Sequence, residues 1–379
     1  MIFLLLICMA ILLLYLTKIA IYRRNWFHCP VFESEGLLRT PLVSVVIAFR
    51  NEEVNLPSLL NSLEMQKYPA GFREVILVDD HSSDGSASLA AVFSNLHEGF
   101  RYIRNEPGKN GKKAALLKGI REAAHDLIVV TDADCIMGDY WLSDICGFFA
   151  RYDPDMIIGL VDIKVGRGFF NRFQEAEFLS LVAAGAASAA GGRPIYCNAA
   201  NLAFTKEWVL SRPDPMNIHS PSGDDTFLLH RIKKENNSRI LLLKSRRAIV
   251  RTAGADSFRE FLNQRIRWAS KSLHYRDTDT IYTACLIWIV SFITVGTMVF
   301  AIAGFYPWLF PVVLAGKGLA DYIFLQGFLR FYGKKLHFPE FFIFEIIYPF
   351  YIMMAALCGL FNLYSWKNRR YGRKNKSGD

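Results

Sequence analysis

Leu127-Ile-Val-Val-Thr-Asp-Ala-Asp-Cys135 is the stretch that decides the fold. Four apolar, mostly β-branched residues run without interruption into two carboxylates. A short continuous apolar run of this kind reads as a strand buried on both faces. Asp132 and Asp134 then fall at its carboxyl end, on the same side of an extended segment because side chains alternate along a strand. D-x-D alone is equally a turn or helix-cap signal.

Working outward, the same pattern recurs. Val43–Ala48 is a second β-rich run followed by Asn51-Glu52-Glu53. Glu74–Val78 is a third, ending in Asp79-Asp80 within Val78-Asp-Asp-His-Ser-Ser-Asp84. Leu56, Leu59, Leu60 and Leu63 recur at helical spacing between the first two, and Pro69 stops that helix. Ser82, Ser83 and Asp84-Gly85 supply turn and N-cap chemistry for a further helix. Arg101–Arg104 reads as a short strand, Lys109–Lys113 as a basic loop holding Gly111, and Ala114–Ala124 as a helix. Strands alternating with helices predict an α/β, Rossmann-like domain with a mostly parallel sheet. Ligands bind such sheets outside the carboxyl ends of the strands, where these acids fall. Met156–Ile163 reads as another β stretch. Phe169–Phe178 reads as a segment along a membrane or capping the site, and Ala183–Gly192 as close backbone packing or a mobile turn.

Apolar blocks flank this region. Residues 1–17, 280–316 and 346–366 carry no Asp, Glu, Lys or Arg, and hydrophobic residues make up 52% of the 379. About 20 apolar residues suffice to cross a bilayer as a helix. The expected organisation is an N-terminal transmembrane anchor at 1–22, a catalytic domain at 40–275, a C-terminal membrane region of two to three spans at 280–366, and a basic tail at 367–379. The first block lacks a basic start and a small-residue cleavage site, so it reads as a retained anchor rather than a signal peptide. Arg23-Arg24 then place the following domain in the cytoplasm, at an inner or plasma membrane. The three apolar stretches 281–304, 306–329 and 341–364 would, if all crossed, put the basic tail outside, against the same rule. One of them is therefore expected to be re-entrant or interfacial. Lys317 and Asp321, four apart, are expected to pair within the bundle.

Seven scattered cysteines without a CxxC argue against a zinc site or a disulfide framework. The net charge of +9 gathers near the predicted membrane boundaries and points to anionic lipid head groups. No nucleic-acid module is recognisable, so nucleic acid is not an expected partner.

Two further motifs complete the set. Ser222-Gly-Asp-Asp225 opens a helix on which Leu228 and Arg231 lie one turn apart, and a carboxylate there is either an N-cap or a general base facing an acceptor hydroxyl. Gln264-Arg-Ile-Arg-Trp268 is either an amphipathic interfacial helix with snorkelling arginines or a site for a departing diphosphate on Arg267, with Trp268 stacked on a sugar ring. Lys112 is either ordinary loop charge or a phosphate contact.

In this order, VDDxSxD, GKxxAL at Gly111–Leu116, DAD, DDxxLxxR and QxxRW, the chain resembles membrane-bound family-2 inverting glycosyltransferases such as cellulose, chitin, hyaluronan and poly-N-acetylglucosamine synthases. The resemblance covers about residues 43–270 and implies a GT-A fold, a nucleotide-sugar donor, most often a UDP-sugar, and Mg2+ or Mn2+. By motif position it assigns Glu52, Asp79, Asp80, Lys112 and Asp132 to the donor, Asp134 with Asp132 to the metal, and Asp225 to the catalytic base. Asp224, Gln264, Arg267 and Trp268 fall at the acceptor and diphosphate end. The acceptor is a glycan or a lipid. Asp224-Asp225 is nearer the hyaluronan and chitin pattern than T-E-D, Asn198 stands where Gly often precedes the Ala199-Ala200-Asn201 motif, and no F-x-V-T-x-K lies between the C-terminal stretches. A non-catalytic membrane scaffold, or a partner subunit of a polysaccharide synthase, is the alternative, but it has no need of the whole set of acids with QRIRW.

Overall fold

The computed structural model describes residues 2–34, 40–108, 111–211, 214, 216, 223–235, 238–361, 364–366 and 369–371. Its helices are α1 (Ile2–His28), α2 (Leu56–Glu64), α3 (Ser86–Leu96), α4 (Lys112–Glu122), α5 (Trp141–Tyr152), α6 (Phe169–Ala190), α7 (Glu207–Leu210), α8 (Asp224–Lys233), α9 (Phe258–Ser270), α10 (Thr278–Ile302), α11 (Leu309–Leu329) and α12 (Phe338–Leu360). The strands are β1 (Val43–Phe49), β2 (Arg73–Asp79), β3 (Phe100–Arg104), β4 (Leu127–Val130), β5 (Met156–Ile158), β6 (Val161–Lys164), β7 (Leu202–Thr205), β8 (Ile240–Leu242) and β9 (Val250–Ala253), followed by the hairpin β10 (Tyr364–Trp366) and β11 (Arg369–Tyr371). They form two compact units. One contains Cys29–Lys164 and Ala184–Ala253; the other contains Met1–His28, Val165–Ala183 and Gly254–Asp379.

In the sheet unit, seven strands are ordered β3-β2-β1-β4-β7-β5-β8. The first four are parallel, and β7 runs against both β4 and β5. All seven residues of β1 and all four of β4 are buried, which is why both read as unbroken apolar runs. β1 pairs with β2 on one edge and β4 on the other, so the order reverses at β1 and a crevice opens between the carboxyl ends of β1 and β4. Helix α4 packs so closely on this sheet that a Cβ at Gly119 would come within 2.4 Å of the Val46 side chain.

Met156–Ile163 is not one strand. β5 belongs to the main sheet, whereas β6 pairs with β9 in a separate two-stranded sheet. The break lies at Gly159, where the Asn201 carboxamide lies so close that a Cβ would come within 2.3 Å of it. The buried Asn201 side chain donates to the carbonyls of Leu160 (2.8 Å) and Ala248 (2.7 Å) and accepts from Trp141 Nε1 (3.0 Å). Asn201→Ala would leave Trp141 Nε1 and the Ala248 carbonyl unsatisfied, while the Leu160 carbonyl keeps its bond from Val250 N, so a loss of about 2–3 kcal/mol in stability is expected. Thermal unfolding in detergent checks it, and an unchanged transition contradicts it.

The helical unit contains four helices long and apolar enough to cross a membrane: Leu5–His28, Thr278–Ile302, Leu309–Tyr332 and Phe338–Leu360. The first is longer than the apolar run to residue 22. Its last turns are packed, with the Trp26 ring 4.5 Å from that of Phe328 and 5.5 Å from that of Phe331. Lys317 pairs with Asp321 at 2.8 Å and also with Glu345, while Tyr15 donates to Asp321 at 2.7 Å. An ionisable cluster in an apolar bundle is held by such mutual pairing. The Ala-rich run from residue 183 continues α6 to Ala190, as its helix propensity favours, and ends in a turn at Gly191-Gly192; the expected close backbone packing is met at Gly185, where a Cβ would come within 3.1 Å of the Tyr196 carbonyl.

Candidate active site

The loops at the carboxyl ends of β1 and β2 are tied to each other. Asn51, in a left-handed conformation at φ 53°, accepts from Ser83 N at 2.8 Å; Glu52 N donates to Ser86 Oγ at 2.8 Å; and Glu53 accepts from Gly85 N at 3.0 Å. Asp79 is fully buried and accepts from Ser82 N at 2.8 Å, with Arg104 at 3.8 Å. Asp80, also buried, accepts from Gly111 N through both oxygens (2.9 and 3.0 Å) and from Asn105 Nδ2 at 3.1 Å, with Arg50 at 3.9 Å. Asp80 thus ties the end of β2 to the start of α4, which carries Lys112.

Lys112 pairs with Asp132 just beyond β4. Two residues on, Asp134 accepts from Thr252 Oγ1 of β9 at 3.0 Å. Burial pushes the Asp134 carboxyl above the usual carboxylate range, and the neighbouring charges of Asp132 and Glu52 push it the same way. Glu52, Lys112, Asp132 and Asp134 are therefore electrostatic neighbours at the β1/β4 crevice. The crowded carboxylates are relieved by nearby positive charge, and their hard oxygens suit Mg2+ or Mn2+. Burial holds the thiol of the neighbouring Cys135 well above its ordinary range. Among the described residues no three His, Cys, Asp or Glu converge on one point, so a cation on Asp134 and Asp132 would draw its other oxygens from a ligand or water.

Gly223 has φ 87°, a left-handed turn that glycine adopts without strain, and α8 starts directly after it. The capping residue is thus Gly223, with no side-chain cap. Asp225 accepts from Thr226 N at 2.6 Å with one oxygen and from Ala199 N at 3.3 Å with the other. This ties it to the turn Ala199–Asn201, whose own cap is the Asn198 side chain accepting from Ala200 N. The Asp224 side chain and Ser222 lie outside the described residues.

Gln264, Arg267 and Trp268 lie on α9 in the helical unit. Serine 257 caps this helix, accepting from Glu260 N at 3.2 Å. Arg265 does not snorkel. It is buried, donates from Nε to both oxygens of Glu177 on α6 at 2.9 Å, pairs with Gln264 Oε1, and lies 4.2 Å from the Trp268 ring centroid. Tyr351 of α12 donates to the same Glu177 at 3.0 Å. Glu177→Ala would leave the buried Arg265 charge without its carboxylate, with an expected loss of about 3–5 kcal/mol. A melting temperature in detergent equal to that of the wild type would contradict this.

The structure therefore groups Glu52, Asp79, Asp80, Lys112, Asp132, Asp134 and Asp225 in the sheet unit, and Gln264, Arg267 and Trp268 in the helical unit. Sequence reasoning missed Arg50, Thr252, Glu177 and Tyr351. Each acts through a partner 30 or more residues away, so local pattern carries no sign of them.

Two family profiles match the chain. One, described as Glycosyl transferase family 2, covers residues 44–207, and the other, described as Glycosyl transferase family group 2, covers residues 127–363. The glycosyltransferase AglE of Haloferax volcanii is 30% identical over 128 residues, 34% of this chain and 42% of that protein. The poly-beta-1,6-N-acetyl-D-glucosamine synthase of Staphylococcus epidermidis is 26% identical over 146 residues, 37% of this chain and 33% of that protein. A beta-monoglucosyldiacylglycerol synthase of Trichormus variabilis is 29% identical over 151 residues, 38% of this chain and 31% of that protein. The matches thus span less than half the length of these relatives. Among solved structures, the mannosyltransferase PcManGT from Pyrobaculum calidifontis, in complex with GDP-Man and Mn2+, aligns with a TM-score of 0.54 at 17% identity, covering 93% of this chain and 98% of that one. This likeness and the mostly parallel sheet show the GT-A fold.

Proposed function

The chain belongs to glycosyl transferase family group 2, and from that premise we propose that it moves a hexose, with inversion, from a UDP-sugar to a lipid-linked or growing glycan acceptor at a membrane. The observation that carries the reading is the meeting of Glu52, Lys112, Asp132 and Asp134 at the β1/β4 crevice. A carboxylate pair beside a lysine, at the point where strand order reverses, suits a nucleoside diphosphate. The relatives include one named as a polymer synthase and one named as a glycolipid synthase, so both acceptor classes stay within the proposal. The sheet unit is assigned to the cytoplasmic side by Arg23-Arg24.

Inversion needs in-line attack on the anomeric carbon from the face opposite the diphosphate. Asp225 takes the acceptor hydroxyl proton as the new bond forms, help worth about 100- to 10,000-fold. Asp79 and Asp80 order the loops of the nucleoside end. Lys112, and Arg267 with Gln264 on α9, meet the charge that develops on the departing diphosphate. Trp268 and Asp224 are assigned to the acceptor end. Asp134 and Asp132 would hold Mg2+ or Mn2+, which supplies positive charge to the diphosphate oxygens.

UDP release by detergent-purified protein, measured over a panel of UDP-sugars with Mn2+ or Mg2+ and membrane lipid extract, tests this. Release with one donor and sugar appearing in a lipid or polymer product are expected. Absence of release with every donor would overturn the UDP-sugar reading.

A further inference from the structure

The contacts of α12 change along its length, unlike those of the helices around it. The direction of the other helices is fixed by their contacts. α1 and α11 run parallel: Leu12 packs on Leu309 and Val313, Tyr15 bonds Asp321, Tyr22 lies 6.3 Å from the Phe324 ring, and Trp26 lies on Phe328. α10 runs the opposite way, with Tyr282 under Lys18 and Ile293 on the Leu12 cluster. One end of the bundle therefore holds His28, Thr278 and Leu329. Cys29, the first residue of the sheet unit, follows His28 in the chain. The far end holds Leu5, Ile302 and Leu309.

α12 starts at the near end, where the Phe338 ring is 5.0 Å from Tyr322. Its first half follows α11 downward as far as Lys317, which pairs with Glu345 and lies 5.7 Å from the Tyr348 ring. Pro349, inside the helix, cannot donate to the carbonyl four residues before it, which favours a bend there. α12 packs on α6 before the proline as well, with the Phe344 ring 5.2 Å from Phe169 and 5.4 Å from Phe173, and beyond it on α6 and α9, with α10 alongside. The Tyr351 ring lies 6.0 Å from Phe173 and 5.5 Å from Phe261, and its hydroxyl reaches Glu177. Gly359 abuts the end of α9: a Cβ there would meet Ala269 at 2.9 Å and the Ser270 nitrogen at 3.0 Å. Ser270 is joined to the near end of α10 at Thr278 by a 3-10 turn, Lys271–His274, and the short link 275–277. Among the described residues, none of α12 joins the far-end cluster of Leu12, Leu309 and Val313. A crossing helix of this length would span roughly 34 Å and carry Gly359 to the far end.

We propose that α12 does not cross the membrane but lies within the near-side leaflet, braced on α6, α9 and the near part of α10. Its outward stripe of Ile343, Ile347, Phe350, Met354 and Leu357, all exposed, then faces the acyl chains of that leaflet. The segment after it carries Lys367, Arg369, Arg370, Arg373, Lys374 and Lys376 and emerges on the same side as Arg23-Arg24, where anionic head groups attract it. Three crossings, α1, α10 and α11, then satisfy the positive-inside rule that four would break. The inference stands on contacts within the helical unit and holds whether or not the protein transfers a sugar.

The test uses the full chain in native membranes, with single cysteines added as Ser377→Cys, Pro307→Cys at the far end and Glu98→Cys in the sheet unit. Each is labelled with a membrane-impermeant maleimide in right-side-out and in inside-out vesicles, against the wild-type background. Ser377→Cys and Glu98→Cys are expected to label several-fold better from the same side, and Pro307→Cys from the other. Labelling of Ser377→Cys from the Pro307 side would overturn the proposal. A fluorescent protein fused after Asp379 gives an independent reading: accessibility of the fusion to protease from the Glu98 side is expected, and accessibility from the Pro307 side overturns it.

Discussion

Asp225→Asn is expected to lower turnover by about 100- to 10,000-fold while nucleotide-sugar affinity changes by less than about twofold. The exchange is nearly isosteric. The carboxamide oxygen can still accept from Thr226 N or Ala199 N, the two backbone donors that hold the side chain. The turn at Ala199–Asn201 and the start of α8 therefore keep their form. What is lost is the basic oxygen that would take a proton from an acceptor hydroxyl. Donor binding by calorimetry and nucleotide release by a coupled assay separate the two effects. Loss of UDP binding in the variant would move Asp225 to the donor site and remove it from the role of base.

Asp134→Ala is expected to abolish the dependence of donor binding on Mn2+ or Mg2+ and to lower turnover by about 100- to 1,000-fold. Asp134 is half-buried beside Asp132 and Glu52, and desolvation and crowding already disfavour the charged form. Removing it relieves like-charge repulsion and burial of a carboxylate, so the fold should be no less stable, although the Thr252 hydroxyl loses an acceptor. A melting temperature equal to or above that of the wild type, together with lost metal dependence, is the expected pair of results. Unchanged metal-dependent binding would refute the ligand role.

Much of the sheet was legible because its signals are local. Val43–Phe49 and Leu127–Val130 are buried on both faces and so read as unbroken apolar runs, and Asp79-Asp80 and Asp132–Asp134 mark where two of the strands stop. The division of Met156–Ile163 between two sheets was not legible, because the break depends on Asn201, about 40 residues downstream, lying against Gly159 and Leu160. In Ala183–Gly192 the close packing was legible, at Gly185 against Tyr196, but the helix that carries it was not, because small residues suit both. In the candidate site, the acids were found by motif, but what holds them was not. Thr252 reaches Asp134 from β9, and Glu177 reaches Arg265 from a segment of aromatics with no motif of its own. The pairing of Lys317 with Asp321 followed from their spacing of four on one helix, whereas Glu345 had to be brought in by the fold.

The most direct test of the account is the anomeric configuration of the product. UDP-hexoses of the common series carry an α-linked sugar, and a single in-line displacement assisted by Asp225 must deliver it β-linked. Proton NMR of the first product formed by the purified protein from the donor that supports UDP release reads this through the coupling of the anomeric proton. A β-linked product, absent with Asp225→Asn, is the predicted result. An α-linked product would contradict single displacement and with it the role assigned to Asp225.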